Sequence, residues 1–426
     1  MRVFFDHYIG LAEQRRLMGA FERRRAAVIK SPTVVALKGV VAGGAADVEK
    51  AAQRLRQRFR KMVLVGIGGS ALSARLLSEA FRKQRSLSVL DNVDPEWVSA
   101  QLKGLGRSFC LCVVTKSGRT AETAALTSLL LPRLRRLHGG DYQKAVVVVT
   151  DPAGGPLRQW AQKEGITCFA IPPDIPGRYS VFTPVGLLPA AFCGVGVSGL
   201  LEGAKRLFEK LNGSAEDDPA WVAALGDYAH WRKRPICVLF VYSGMFARLR
   251  DWFVQLWAES LGKRERLNGT VSPTGQTPLG ALGVTDQHSL LQLFAEGPDD
   301  KTYTLLVKEG ATKALKVPED AGGPSQWRYL EGKRLSDLFY AELFGTEATL
   351  IREKRPLLKI VLEGRMEEEL GALLAFFMMR TAYVASLIEV NAFNQPGVEY
   401  GKRLSRAMLV GEELEAPVRW RRQIRV

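Results

Sequence analysis

From about Ala51 the chain alternates between two rhythms: short, nearly unbroken apolar runs, and longer stretches with an apolar residue at every third or fourth place. The first rhythm marks strands buried on both faces and the second marks amphipathic helices. "KMVLVGIGG" reads as a strand running into glycines, and "SALSARLLSEAFRK" as the helix after it. "SLSVLDN" and "PEWVSAQLKGL" repeat the pair, followed by "SFCLCVVTK" and "TAETAALTSLLLPRLRRL". "AVVVVTD" and "ITCFAIP" supply a fourth and a fifth strand. Strands alternating with helices predict an α/β fold with a parallel sheet covered on both faces.

A second, less regular cycle begins with the strand "PICVLFVYS" and the long helix "MFARLRDWFVQLWAESLGK". "TYTLLVKE" and "LLKIVLEG" read as further strands, and "EEELGALLAFFMMRTAYVASLIE" as a helix of about six turns. Between the long helix and Thr302 lies "NGTVSPTGQTPLGALGVTDQHS", whose length and Gly/Pro/Thr content predict a functional or disordered loop. The segment from Val181 to Leu201 carries no charge but holds Pro184 and Pro189, so a buried helix and turn is expected there rather than a membrane span. The expected organisation is a helical arm over residues 1–45, α/β units over 46–195 and 196–390, and a C-terminal segment over 391–426.

Composition narrows the class. Hydrophobic residues make up 46% and charged residues 24% of 426, as in an ordinary globular chain. A formal charge of +16 favours anionic partners, whether phosphorylated metabolites, nucleic acid or acidic lipid. The densest basic clusters, Arg23–Arg25 and Arg419–Arg425, sit near the termini, and the remaining cations are scattered, which is a poor match to a nucleic-acid footprint. Cys110, Cys112, Cys168, Cys193 and Cys237 have no metal-ligand spacing and read as reduced thiols. The N-terminus lacks the apolar core of a signal peptide, and a cytoplasmic location is expected.

Two corners of the first sheet carry candidate chemistry. In "VLVGIGGSALSA", Gly66, Gly68 and Ala71 satisfy a dinucleotide fingerprint, with Asp91 closing the next strand. A plain glycine turn is the other reading. At the end of the third strand, "VVTKSGRTAET" sets Thr115, Lys116, Ser117 and Thr120 beside Ser70. Hydroxyls, an ammonium and backbone N–H groups at helix starts suit a terminal phosphate monoester. The same residues also suit simple capping of a helix beginning at Arg119, with Glu122 near a capping-box position.

On the long helix, Gln255 and Glu259 are four apart and share a face, with Lys263 one turn on. Glu259 is either a paired surface carboxylate or a base tuned by burial. Of the four histidines, His288 stands at a helix start in "TDQHSLLQL", where either a structural or a chemical role fits; no second metal ligand accompanies it. "IPGRYS" places Arg178 on a glycine turn after the fifth strand, and "NAFNQPGVEYGKRL" brings Gln395 and Lys402 just past the last long helix. A base, a cation, a histidine and a phosphate pocket together are what proton transfer between carbons of a sugar phosphate requires.

"GIGGS", "TKSGRTAET", "GRYS" with "VGLLP", "QLWAESLGK", "QHS" and "NQPGVEYGK" occur in an order and spacing that resembles the phosphoglucose isomerase family over roughly residues 60–405. The resemblance implies two sugar-isomerase domains, each a doubly wound, mostly parallel sheet flanked by helices. It implies interconversion of glucose 6-phosphate and fructose 6-phosphate through a cis-enediolate, without metal or organic cofactor, in a homodimer whose subunits share the active site. No nucleic-acid or membrane partner is implied. By the same resemblance Glu259 shuttles the proton, Arg178 stabilises the intermediate's charge, His288 and Lys402 open the sugar ring, and Glu122 orients the imidazole. Gly69, Ser70, Thr115, Lys116, Ser117 and Thr120 hold the phosphate, with Gln255 and Gln395 nearby. Thr115 and Ser117 exchange the family's more usual serine and threonine, Arg119 replaces a smaller residue, and Pro176 replaces a common glycine. Two other readings stand beside it: an isomerase that also accepts mannose 6-phosphate, and a non-catalytic sugar-phosphate-binding regulator. A nicotinamide-dependent dehydrogenase is a third, carried by the glycine fingerprint alone.

Overall fold

The computed structural model describes residues 1–81, 86–310, 315–320 and 322–412. The basic cluster at Arg419–Arg425 and the last two residues of the helix expected over Ser70–Lys83 lie outside them.

Strand β1 (Arg2–His7) opens the chain, followed by helices α1 (Leu11–Ile29), α2 (Pro32–Gly43) and α3 (Ala46–Arg58). The regular alternation then runs β2 (Lys61–Val65), α4 (Gly69–Ala80), β3 (Ser86–Leu90), α5 (Pro95–Lys103), β4 (Phe109–Val114), α6 (Ala121–His138), β5 (Val146–Thr150), α7 (Pro156–Lys163) and β6 (Thr167–Ala170). Local chemistry sets the helix starts: Asp94 Oδ1 accepts from the Trp97 amide at 2.8 Å, and Pro95 occupies the first turn of α5. These five strands form one parallel sheet in the order β3-β2-β4-β5-β6. The chain steps from β2 outward to β3 and then back to β4 on the other side, so the loops after β2 and β4 flank a topological switch point, where open α/β sheets bind ligands.

The uncharged segment forms a 3-10 turn over Gly177–Phe182 and α8 (Pro184–Phe192), which is buried from Val185 to Phe192. Helices α9 (Val197–Lys210) and α10 (Pro219–His230) lead to β7 (Ile236–Tyr242) and α11 (Leu249–Leu261). A hairpin of β8 (Lys263–Glu265) and β9 (Val271–Thr274), then β10 (Thr277–Leu282), α12 (Gln287–Glu296), β11 (Lys301–Lys308), α13 (Leu335–Arg352), β12 (Leu357–Leu362), α14 (Met366–Leu387) and α15 (Glu399–Val410) follow.

The second sheet has the order β1-β12-β11-β7-β10. The unbroken apolar run in β7 follows from cores on both sides of it: Cys237, Leu239 and Val241 face one, and Val238, Phe240 and Tyr242 face the other. Helix α14 is long and apolar enough to cross a membrane, yet 89% of that apolar window is buried inside the protein. It crosses α9 so closely that a Cβ on Gly203 would lie 1.8 Å from the Glu368 carbonyl oxygen, and one on Gly371 would lie 1.9 Å from that of Leu200.

Two expectations need correction, and one element was not foreseen. The N-terminal arm is not wholly helical, because β1 pairs antiparallel with β12, a strand some 350 positions later in the sequence. The Gly/Pro/Thr-rich stretch is not a loop throughout: β10 lies along the edge of the second sheet, parallel to β7. Pro278 is tolerated there because an edge strand can lack one N–H donor. Helix α13, between β11 and β12, was not anticipated.

Candidate active site

Three loops meet at the carboxyl edge of the first sheet: those after β2, β4 and β6. Gly68 carries φ +57°, a left-handed conformation suited to glycine, as the turn after β2 enters α4. Gly69 packs directly on the loop after β6: a Cβ there would lie 2.4 Å from the carbonyl of Gly177 and 2.7 Å from the Arg178 nitrogen. Gly69→Ala must therefore displace Arg178 or the turn. A shift of about 1 Å at a reacting centre is worth roughly a hundredfold in rate, and that fall in kcat/KM is the expected result in steady-state assays of this variant.

In the loop after β4, the hydroxyls are not used as helix caps. Helix α6 begins at Ala121 rather than Arg119, and Thr120 at its N-cap makes no side-chain cap bond. Instead the Thr115 and Thr120 hydroxyls lie 2.7 Å apart, and Ser117 Oγ accepts from the Arg119 amide at 3.2 Å. Lys116 donates to the carbonyls of Pro173 at 2.6 Å and Ile175 at 3.1 Å, which leaves one of its three N–H groups for an anion. Burial pulls its pKa below the ordinary lysine value, against the pull of Asp151 and Asp174. Ser70 is half-buried on the first turn of α4. Asp91, the carboxylate that a dinucleotide reading assigns to a ribose, instead holds Arg75 in a bidentate pair at 2.7 and 2.9 Å.

The second sheet contributes α11. Glu259 Oε1 accepts from Gln255 Nε2 at 3.0 Å, and its Oε2 accepts from Arg178 Nη1 at 3.3 Å. The glutamate side chain keeps 32% of its surface exposed, whereas that of Arg178 keeps 1%. Gln255 also reaches the glycine turn, since a Cβ on Gly68 would lie 2.8 Å from its Nε2. Arg178 spends all five donors. Its Nε binds Ser260 Oγ at 2.9 Å, its Nη1 also binds Gln395 Oε1, and its Nη2 binds the carbonyls of Ala392 at 2.5 Å and Asn394 at 3.0 Å. The guanidinium is thus fixed; burial lowers its pKa, and Tyr179 and Glu259 raise it.

Two groups that build this cluster were given no role from the sequence: Ser260, which was not singled out, and Lys263, noted only as one turn past Glu259. Ser260, fully buried beside Glu259, anchors both Arg178 and the Tyr179 hydroxyl, which lies 3.3 Å away. The available signal was a hydroxyl on an otherwise apolar helix face in "WAESLGK". Lys263 ties the end of α11 to the segment after α14 by donating to the Glu259 carbonyl and, at 3.0 Å, to that of Asn394. Burial and then Arg178 pull its pKa down to about 8, with Glu259 opposing. Since the folded value lies below the ordinary 10.5, the unfolded chain binds more protons between pH about 8 and 10.5. The lysine's contribution to stability therefore rises across that window. Lys263→Met is expected to flatten this rise in denaturation experiments run from pH 7 to 10.5, and to lower kcat about tenfold by releasing the end of α11.

The structure thus brings together Gly69, Arg178, Gln255, Glu259 and Gln395, with Ser70 on the turn alongside and Thr115, Lys116, Ser117 and Thr120 in the adjoining loop. It does not bring His288 or Lys402 to them within one chain. His288 is exposed on the first turn of α12. Lys402, 61% exposed on α15, pairs with Glu399 at 2.8 Å. Glu122 is half-buried on the first turn of α6.

A model of the phosphoglucose isomerase family matches residues 50–300 and 346–419. Glucose-6-phosphate isomerase of Carboxydothermus hydrogenoformans is 36% identical over 385 residues, spanning 87% of this chain and 83% of that protein. The chain belongs to the phosphoglucose isomerase family. Another family relative, glucose-6-phosphate isomerase of Thermus thermophilus, is 41% identical over 351 residues, or 82% of this chain and 84% of that protein. Among solved structures, a hypothetical protein of Thermus thermophilus superposes with TM-score 0.90 at 35% identity, covering 96% of this chain and all of that one. A glucose-6-phosphate isomerase from Chlamydia trachomatis shares the fold at TM-score 0.77 and 22% identity, covering 91% of this chain and 77% of that chain.

Proposed function

We propose that this phosphoglucose isomerase family member interconverts glucose 6-phosphate and fructose 6-phosphate. The observation that carries the reading is the half-exposed Glu259 carboxylate, held between Gln255 and the buried Arg178 beside the hydroxyl-bearing loops. In this reading the loops after β2 and β4 grip the substrate's phosphate, and that remote binding energy holds the open chain in place. Glu259 removes the proton on C2 and returns it to C1. Arg178, having no donor to spare, acts as a fixed positive charge that keeps Glu259 oriented and steadies the enediolate. Direct NMR measurement of glucose 6-phosphate formed from fructose 6-phosphate, with no added nucleotide, tests the reading; absence of turnover in folded protein would overturn it.

Surface-exposed His288 and Lys402 support a further part of the reading, that a second copy completes the site. Helix α15 carries exposed Tyr400, Met408, Leu409 and Val410, apolar surface that a second chain would cover. Hybrids of Glu259→Gln and His288→Ala chains should then regain activity that neither parent shows, because one of their two sites is intact. Hybrids as inactive as the parents would mean that each chain works alone.

A further inference from the structure

A cavity of about 590 Å³ lies away from the loops just described, between α1, the turn after α10, the β8–β9 hairpin and the end of α14. That volume falls within the range of small-molecule sites. Five cations line it: Arg16, Arg24, Arg232, Lys233 and Arg266. Only two carboxylates, Glu13 and Glu389, face them. Glu13 is taken up by a bidentate pair with Arg16 at 2.6 and 2.8 Å, and Glu389 by Arg24 at 2.5 Å. Arg266 donates to the Ile388 carbonyl and, at 3.5 Å, to Ser272 Oγ, both neutral acceptors. Arg232 and Lys233 have no ion-pair partner among the described residues. The lining thus carries three more positive than negative charges, with Arg232 and Lys233 exposed on it and Glu389 shared between Arg24 and Arg266, so the concave surface attracts an anion.

The cavity wall is also the back of the active-site scaffold. The Leu267 amide donates to the Glu389 carbonyl at 2.7 Å, and Glu389 sits in the left-handed region at φ +60°, an unfavourable place for a residue with a side chain. Just downstream, the carbonyls of Ala392 and Asn394 grip Arg178, and Lys263 at the start of the hairpin grips Glu259 and Asn394.

We propose that this cavity is a second binding site, for a small polyanion carrying at least two phosphate groups, and that its occupancy lowers turnover. A polyanion held by Arg232, Lys233 and Arg266 competes for Arg24 as well. Arg24 also donates to the Ser386 carbonyl at 2.5 Å, where the Glu389 amide closes the last turn of α14, so drawing Arg24 away weakens that turn and loosens the 389–395 segment that immobilises Arg178.

Inorganic tripolyphosphate is the probe, titrated calorimetrically into the full chain with and without saturating fructose 6-phosphate. Binding is expected to persist in the presence of the sugar phosphate and to weaken roughly tenfold or more in the Arg232→Ala/Lys233→Ala double variant. In turnover assays the probe should lower kcat and leave KM unchanged. Three results would each overturn the proposal: binding abolished by the sugar phosphate, binding unchanged in the double variant, or binding without any fall in kcat. The calorimetric comparison of the two proteins does not depend on turnover, so failure of the isomerase reading would leave it interpretable.

Discussion

Glu259→Gln should lower kcat for the interconversion of the two sugar phosphates by about 10²–10⁴-fold, the usual worth of a positioned general base, with KM changed only a few-fold. The amide keeps the shape of the carboxylate and still accepts a hydrogen bond from Arg178 Nη1, and Gln255 can turn its own amide to suit the new donor. What disappears is the carboxylate placed to take a proton from carbon: Arg178 is a fully hydrogen-bonded cation, the two glutamines do not titrate, and Lys263 is turned to the Glu259 and Asn394 carbonyls. In the proposed reading the loops after β2 and β4, not Glu259, bind the phosphate, so affinity for the ester should survive. Steady-state kinetics and exchange of the C2 hydrogen with solvent report the two halves separately. Near-full activity in this variant would remove Glu259 as the base.

The largest effect on stability is expected far from the loops. Arg380 and Asp227 form a completely buried pair, with two bonds of 2.7 Å. Arg380 also donates to Thr304 Oγ1 at 3.0 Å and to the Tyr8 hydroxyl at 3.1 Å, and its guanidinium lies 5.3 Å from the Trp257 ring centre. Tyr8 in turn donates to Asp227, and burial followed by that carboxylate pushes the phenol well above its ordinary pKa. Asp227→Ala leaves a guanidinium without a counter-charge in the core, which costs about 3–5 kcal/mol, a large share of the roughly 5–15 kcal/mol typical of folded proteins. Denaturant unfolding should show the loss as a lower midpoint. Asp227→Leu combined with Arg380→Met should cost less than the sum of the single changes, because neither charge is then left alone. Strict additivity would mean that the two side chains do not act as a pair.

The first sheet could be read from the sequence because its strands are short, apolar and separated by amphipathic helices, a pattern that depends little on distant residues. At the corner Thr115–Thr120 the sequence offered two uses for the hydroxyls, and the structure removes helix capping by Thr120, whose hydroxyl meets Thr115 instead. Strand β1 escaped notice because "RVFFDH" is short and half-exposed, and its partner β12 is distant in sequence. Strand β10 was hidden by Pro278 and Gly280, residues that a strand interior avoids and an edge accepts. Ser260 and Lys263 could not be assigned from spacing, since their roles depend on Arg178 and Asn394 arriving from other parts of the chain.

The contact of α9 with α14 bears on how this protein can change over generations. At Gly203 and Gly371 the two backbones touch, so even a methyl group meets a carbonyl head-on. Libraries screened for hardier or faster enzymes should come back with glycine at both positions, while the solvent-facing positions of α15 drift freely unless a second chain rests on them. Comparing tolerance at these two kinds of site would separate what the fold forbids from what assembly forbids.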